Sequence, residues 1–329
     1  MEKLQEERKE IEKQIAELYR RREEIKQEIA NERKSSANRQ NYDIVSEAIN
    51  NPPKEFPKYG TVACQGVEGA YSQAAAYRLF DYPNIMYFKQ FDGVFSAIEK
   101  GLCEYGVLPI ENSTAGSVNK IYDLMRRHKF YIVRSVRVKI DHNLLAKPGV
   151  NLSDIKEIVS HEQAINQCGE FLKNLGEVKI TYCDNTATAA KMIAESDRND
   201  IGAISSLSCA SLYGLDVVKE AVQDRDNNYT RFICISKNIE IYQGAFKNSI
   251  MATVKHKQGS LFSVLKIFNE ENYNLTKLES RPIETKDFEF MFYFDFEASP
   301  YNENYIQSMK KLEAACDTFE YLGSYAEIL

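Results

Sequence analysis

Four short polar segments stand where strands or helices are expected to end, and their residue types limit the chemistry on offer. Gly66-Val67-Glu68-Gly69-Ala70-Tyr71-Ser72 follows an apolar run and opens a helical pattern. Its two glycines permit a tight turn, and the free N–H groups of a helix start can hold an anion. A purely structural turn explains the same residues. Pro109-Ile110-Glu111-Asn112-Ser113-Thr114-Ala115-Gly116-Ser117 repeats the design, with hydroxyls that serve equally as helix caps or as ligands. Asn185-Thr186-Ala187-Thr188 gives a third loop, and Asn228-Tyr229-Thr230-Arg231-Phe232 sets amide, hydroxyl and guanidinium at a strand mouth. Four polar strand ends in one α/β body point to a shared site. A metal site is not expected: the four histidines show no H-x-x-x-H spacing, and the seven scattered cysteines contain no C-x-x-C pair. The cysteines read as reduced thiols that fill cores.

The elements that must carry these segments follow from periodicity. With 329 residues, the chain is expected to form two globular units plus an extension. A net charge of -6 excludes a nucleic-acid binder and means that any anion site must be built locally. No run of 18 apolar residues occurs, so no membrane span is expected. The first residues show no apolar signal core, which predicts a cytosolic (cytoplasmic) protein.

Residues 1–50 carry a thin apolar stripe, Leu4, Ile11, Ile15, Leu18, Ile25 and Ile29, on an otherwise charged helix. Asn50-Asn51-Pro52-Pro53 ends it, and 51–58 read as a linker. From 59 to about 240, strands Thr61–Cys64, Ile85–Phe88, Tyr105–Pro109, Ile155–Ser160, Val178–Cys183, Ile201–Ser205 and Phe232–Ser236 alternate with helical patterns. Among the latter are Ala70–Phe80, Phe91–Lys100, Val118–Met125, Glu162–Leu175 and Thr186–Ala194. That alternation predicts largely parallel sheets in two α/β lobes around a cleft, the chain crossing between lobes near Tyr131–Leu145. Residues 246–329 change pattern to β-α-β-β-α-β, the ferredoxin-like order.

The segments GVEGAYSQAAA, PIENSTAGSV, SHEQAINQC, NTATAA, AISSLSCASLYGL and NNYTRF, in this order, resemble those of prephenate dehydratases of the P-protein type. The resemblance implies a two-lobed, periplasmic-binding-protein-like fold that converts prephenate to phenylpyruvate without a cofactor. It carries the catalytic role onto Thr230. A Thr hydroxyl is a poor acid, so it acts as an oriented donor in a dry site. Asn112, Ser113, Thr114 and Thr186 are expected to hold the substrate carboxylates by neutral hydrogen bonds, with Ser72 beside them. Arg231 is a candidate for the same role, although adjacent strand residues face opposite ways. The arogenate dehydratases, acting on the amino analogue of prephenate, are an alternative, and a non-catalytic amino-acid sensor is a third. His161 is expected to serve packing.

The tail resembles the ACT domain of the same family. Gly259-Ser260-Leu261 and Glu279-Ser280-Arg281-Pro282 match the segments that bind L-phenylalanine at a subunit interface. A homodimer or homotetramer inhibited by phenylalanine is implied. The N-terminal helix resembles the first helix of an AroQ-type chorismate mutase, with Arg22, Arg33 (or Lys34), Asp43 and Glu47 at its active-site positions. Gln5 stands where that family has Arg, and no third helix follows, so a truncated, inactive remnant is expected, the alternative being a bifunctional mutase/dehydratase whose minimal mutase is completed by another chain.

Overall fold

The computed structural model describes residues 53–283 and 289–329, together with fourteen helical positions between 14 and 50. Among the described residues, fifteen strands fall into two sheets. In chain order they are β1 (Tyr59–Gln65), β2 (Tyr82–Phe88), β3 (Tyr105–Asn112), β4 (Gly116–Ser117), β5 (Tyr131–Lys139), β6 (Asn143–Ala146), β7 (Glu157–Ser160) and β8 (Lys179–Tyr182). They continue as β9 (Ile201–Ser205), β10 (Asp216–Lys219), β11 (Tyr229–Ser236), β12 (Lys247–Thr253), β13 (Asn274–Pro282), β14 (Phe290–Glu297) and β15 (Thr318–Ile328).

The first lobe is built on β2-β1-β3-β11-β5. β2, β1 and β3 run parallel, whereas β11 lies antiparallel to both β3 and β5. The second lobe is the sheet β10-β6-β9-β7-β8, parallel through β9-β7-β8 and antiparallel at β6 and β10. The sheets are therefore mixed, not largely parallel. Two crossings between lobes cause this: β5 leads directly into β6 through Ile140–His142, and β10 returns through 220–228 to β11. A strand entering a sheet from the other lobe is free of the helical crossover that imposes parallel pairing. β11 is buried along Thr230–Ser236, which explains its continuous apolar run.

The elements differ from the sequence expectation in two details. The expected helix Glu162–Leu175 is broken into Glu162–Asn166 and Gly169–Leu175. Asp224, remote in sequence, accepts from the Gly169 and Glu170 N–H groups (both 3.0 Å) and so starts the second helix afresh. The helix Leu207–Tyr213 and strand β10, unread in the sequence, complete the second lobe.

The tail forms β12, helix Ser260–Glu270, β13, β14, helix Tyr305–Ala314 and β15, in the order β13-β14-β12-β15. The two helices and the apolar sheet face enclose Ile250, Val264, Phe268, Phe294, Phe296, Tyr305 and Leu312. Val45, only 2% exposed, and Ile49 pack on this same core. Leu18 and Ile25 of the expected stripe are exposed, whereas Leu4, Ile11, Ile15 and Ile29 lie outside the described residues.

The tail is stitched to the first lobe by its last strand. Ala326–Ile328 of β15 pair in parallel with Arg134–Val136 of β5, so one sheet runs through both units. Gly323 makes this possible: a Cβ there would lie 2.2 Å from the Ile132 carbonyl oxygen, and its φ is +139°.

Candidate active site

A cavity of about 490 Å³ opens between the lobes. Its wall takes Ser72, Asn112, Thr230 and Phe232 from the first lobe, and His161, Gln167, Asp184, Asn185 and Thr186 from the second, with His142 at the crossing. No Lys or Arg is among the lining residues, and Asp184 is their one carboxylate. The polar groups of the wall are neutral side chains and the start of helix Thr186–Glu195, whose Asn185 cap accepts from Thr188 N at 2.8 Å.

Asn112 organises the first-lobe side of the cavity. It ends β3, and its Oδ1 accepts from the Thr114 and Ala115 N–H groups (3.0 and 2.9 Å) and from Thr114 Oγ1 (2.7 Å). Those donors fix which end of the amide is which. Nδ2 must then face Thr230 Oγ1 (2.9 Å), Asn228 Oδ1 (2.7 Å) and the Tyr229 carbonyl (3.2 Å). Because the Thr230 oxygen accepts from Asn112, its own hydrogen is left to donate elsewhere. Thr230 lines the cavity at 9% exposure, so that hydrogen is available to a group bound in the pocket.

The other expected residues divide. Thr186 and Ser72 reach the wall, but the Ser72 hydroxyl already donates to the Gln65 carbonyl at 2.6 Å. Ser113 lies outside the wall; its Oγ donates to Asn227 O (2.8 Å) and accepts from Tyr229 N (2.9 Å), tying the β3 loop to β11. Thr114 joins Asn112 rather than facing the cavity. His161 lines the wall, while its Nδ1 accepts from Gln163 N at 3.2 Å as a helix cap.

Arg231 corrects an expectation. It points away from the cavity and is 5% exposed, in contact with Glu111 (Nε to Oε1, 2.7 Å), Asp295 of β14 and, at 3.8 Å, Glu327 of β15. Strand alternation is the reason, since Thr230 claims the cavity face. Burial alone would depress the guanidinium, but Asp295, Tyr325 and Glu111 outweigh it and hold it firmly charged.

His142 and Gln167 carry no expectation from the sequence, whereas Asn228 is the amide expected at the mouth of β11. His142 Nε2 lies 2.9 Å from Gln167 Oε1, which also accepts from Asn228 Nδ2 at 2.9 Å. The imidazole must therefore carry its proton on Nε2. Burial lowers its pKa, against the opposing pull of Gln167 and Asp141, which favours the neutral ring. Gln167 and Asn228 lie inside the segments SHEQAINQC and NNYTRF and His142 lies outside them, yet residue type alone does not join the three, because the crossing and the helix break that bring them together are long-range events.

The Gly66–Ser72 turn holds the lobes together. A Cβ on Gly69, whose φ is +87°, would lie 2.8 Å from Cys209 Sγ of the second lobe. Tyr213 Oη of that lobe donates to the Glu68 carbonyl at 2.6 Å. The positions Arg22, Asp43 and Glu47 are exposed helical residues, and Arg33 lies outside the described residues.

The profile described as prephenate dehydratase matches residues 62–240. The chain belongs to the prephenate dehydratase family. It is a carbon–oxygen lyase of the prephenate/arogenate dehydratase type. Arogenate dehydratase/prephenate dehydratase 2, chloroplastic, of Arabidopsis thaliana is 40% identical over 80% of this chain and 72% of its own. Arogenate dehydratase 2 of Petunia hybrida is 40% identical over 80% and 71%. Among solved structures, the prephenate dehydratase of Arthrobacter aurescens in complex with L-Phe superposes with a TM-score of 0.73 at 26% identity, covering 81% of this chain and 89% of that one. GqqA, described as a novel type of quorum quenching acylase, gives 0.73 at 28% identity, over 80% and 97%. The relatives overturn the cytosolic expectation, which rested on the lack of an apolar signal core: dehydratases of this family from Arabidopsis thaliana are chloroplastic by name.

Proposed function

We propose that this dehydratase converts arogenate by coupled loss of CO2 and hydroxide, with prephenate as the keto analogue it also turns over. The observation that carries the reading is the Asn112 amide donating to Thr230 Oγ1, which leaves the Thr230 hydrogen for the cavity. In either substrate the bond from ring C1 to the carboxylate breaks, and its electrons form C1=C2. The C2=C3 pair moves to C3=C4 and expels the oxygen at C4. Thr230 donates to that oxygen as negative charge develops, and a preorganised donor in a dry site is most effective at this point. The ring becomes aromatic as hydroxide departs, and the hydroxide takes a proton from solvent to leave as water. Neutral donors suit the departing carboxylate, since a cation would stabilise it in the ground state and slow its loss.

Two observations favour arogenate over prephenate. Relatives named as arogenate dehydratase alone are among the similar proteins, and Asp184, loosely paired at 4.0 Å with the exposed Lys89, is the one carboxylate among lining residues that include no Lys or Arg. Arogenate presents an ammonium where prephenate presents a keto oxygen. Asp184→Asn is expected to lower kcat/KM for arogenate roughly tenfold, the value of about one charge-assisted hydrogen bond, and to leave prephenate within about twofold. Equal losses on both substrates would deny Asp184 this part.

The βαββαβ tail is proposed as an ACT domain that binds L-phenylalanine in a homodimer or homotetramer, through Gly259, Ser260, Leu261 and the Glu279–Pro282 segment. In support, the solved relative with L-Phe covers 81% of this chain, more than 62–240 spans. Gly259 adopts φ +82° and opens the helix Ser260–Glu270. Glu279 already touches the catalytic loop through Ser117 (2.7 Å), and Arg281 reaches Asp123 (3.5 Å). Steady-state turnover of arogenate and prephenate, with and without phenylalanine, tests the whole proposal: both should yield an aromatic product and phenylalanine should slow it. The N-terminal segment is proposed as an inactive mutase-like remnant that packs on the tail through Val45 and Ile49.

A further inference from the structure

The groups around Thr230 close a ring of hydrogen bonds that runs in one direction. Gln167 Nε2 donates to Thr114 Oγ1 (2.8 Å), and Thr114 Oγ1 donates to Asn112 Oδ1 (2.7 Å). Asn112 Nδ2 donates to Asn228 Oδ1 (2.7 Å), and Asn228 Nδ2 returns to Gln167 Oε1 (2.9 Å). Every member accepts through oxygen and donates through its N–H or O–H. In such a circuit each bond polarises the next, by about 10–30% per bond. Asn112 passes that polarisation outward through its contact with Thr230 Oγ1.

Asn112 and Thr114 flank the end of β3, and Asn228 precedes β11, so three members belong to the first lobe. Gln167 alone comes from the second lobe. It closes the helix Glu162–Asn166 as its C-cap, still in right-handed helical geometry, just ahead of the break at Cys168 and of the second helix that Asp224 caps. Its oxygen takes a second donor, His142 Nε2, at the crossing between lobes. The ring is complete only when the second lobe lies against the first.

We infer that Gln167 is a positioning residue that makes the hydrogen-bond donation of Thr230 depend on closure of the two lobes. The inference rests on the dehydratase reading and adds a control on it. Asn112 is held in its orientation by backbone N–H groups, so Gln167 contributes polarisation and registry, not the orientation itself. The expected loss on breaking the ring is therefore about tenfold in kcat, smaller than that for losing the donor.

Gln167→Glu provides the test, because it keeps the shape and changes only the donor. As a carboxylate it cannot donate to Thr114, and the ring is open. As a carboxylic acid it accepts from Asn228 and His142 and donates to Thr114, and the ring is restored. The variant's kcat should fall about tenfold at high pH and recover as pH drops through the new carboxyl's pKa, with KM changed less than about threefold. His142 contacts this position directly, Asp224 N donates to the Gln167 carbonyl, and His161 and Asp184 share the wall. The wild-type pH profile, measured alongside, carries their contributions. Gln167→Met should show the loss without the recovery. Thr114→Val opens the ring from the first lobe and should lower kcat by the same factor, with Thr114→Ser restoring it. Wild-type kcat in Gln167→Glu at every pH, or a change confined to KM or to melting temperature, overturns the inference while wild-type turnover keeps the dehydratase reading. If the wild-type protein turns over neither substrate, both fall together.

Discussion

Thr230→Val is expected to lower kcat about 10²–10³-fold on arogenate and on prephenate, the range for removing one preorganised donor to a developing oxyanion. Val keeps the shape and the strand preference of Thr, so the effect isolates the hydroxyl. The folded state should be nearly unaffected. Asn112 Nδ2 loses one of three acceptors but keeps Asn228 Oδ1 and the Tyr229 carbonyl, so the cost in stability should be about 1 kcal/mol. KM should move little, because the interaction strengthens only as the C–O bond breaks. Thr230→Ser should recover most of the rate. A Thr230→Val protein with wild-type kcat would remove the hydroxyl from the mechanism.

The second large effect is expected at Arg231, and on stability rather than on chemistry. Arg231 sits in the seam between β11 and the tail, against Glu111, Asp295 and Glu327, with Lys277 on Glu111 (2.5 Å) and Lys247 on Glu327 (3.0 Å). Arg231→Met leaves carboxylates buried without their cation, and such truncations cost about 3–5 kcal/mol. Urea denaturation would measure it. Adding Asp295→Leu should return part of the loss, because it removes one stranded charge. The pH dependence has a definite sign. Burial pushes the Glu327 carboxyl up, but Lys247, Arg231 and Arg137 outweigh it and hold it below its ordinary value. A carboxyl depressed in the folded state contributes stability above its unfolded pKa, and that contribution is lost as pH falls through the folded value. Without Arg231, the Glu327 pKa rises, so the acid limb of the stability curve should move to higher pH. An unchanged acid limb would contradict the placement of Glu327 in this cluster.

These two neighbours show what the sequence reveals and what it hides. Thr230 and Arg231 share one motif, and alternation already warned that they face opposite ways. Which face is the cavity depends on β11 entering between β3 and β5, a pairing between residues more than a hundred positions apart in the first case. Strand positions such as Ile201–Ser205 were legible because apolar runs mark buried strands directly. The tail's βαββαβ order was legible for the same reason. The antiparallel entry of β11 was not, since direction leaves no trace in apolar periodicity. Gln167 shows the same limit: the apolar pattern of Glu162–Leu175 runs on unbroken, and the break comes from Asp224, more than fifty residues away. The ion cluster was hidden because each charge, taken singly, reads as an ordinary surface residue.

The central claim is that decarboxylation and loss of the ring hydroxyl are one event assisted by Thr230. It is tested most directly by measuring CO2 release and aromatic product in the same reaction, from arogenate carrying a labelled ring carboxylate, for the wild-type protein and Thr230→Val. The account predicts one CO2 per aromatic ring in both proteins, with the two rates slowed in step by the substitution. Release of CO2 that outruns aromatisation, or aromatic product formed at the wild-type rate by Thr230→Val, would contradict it.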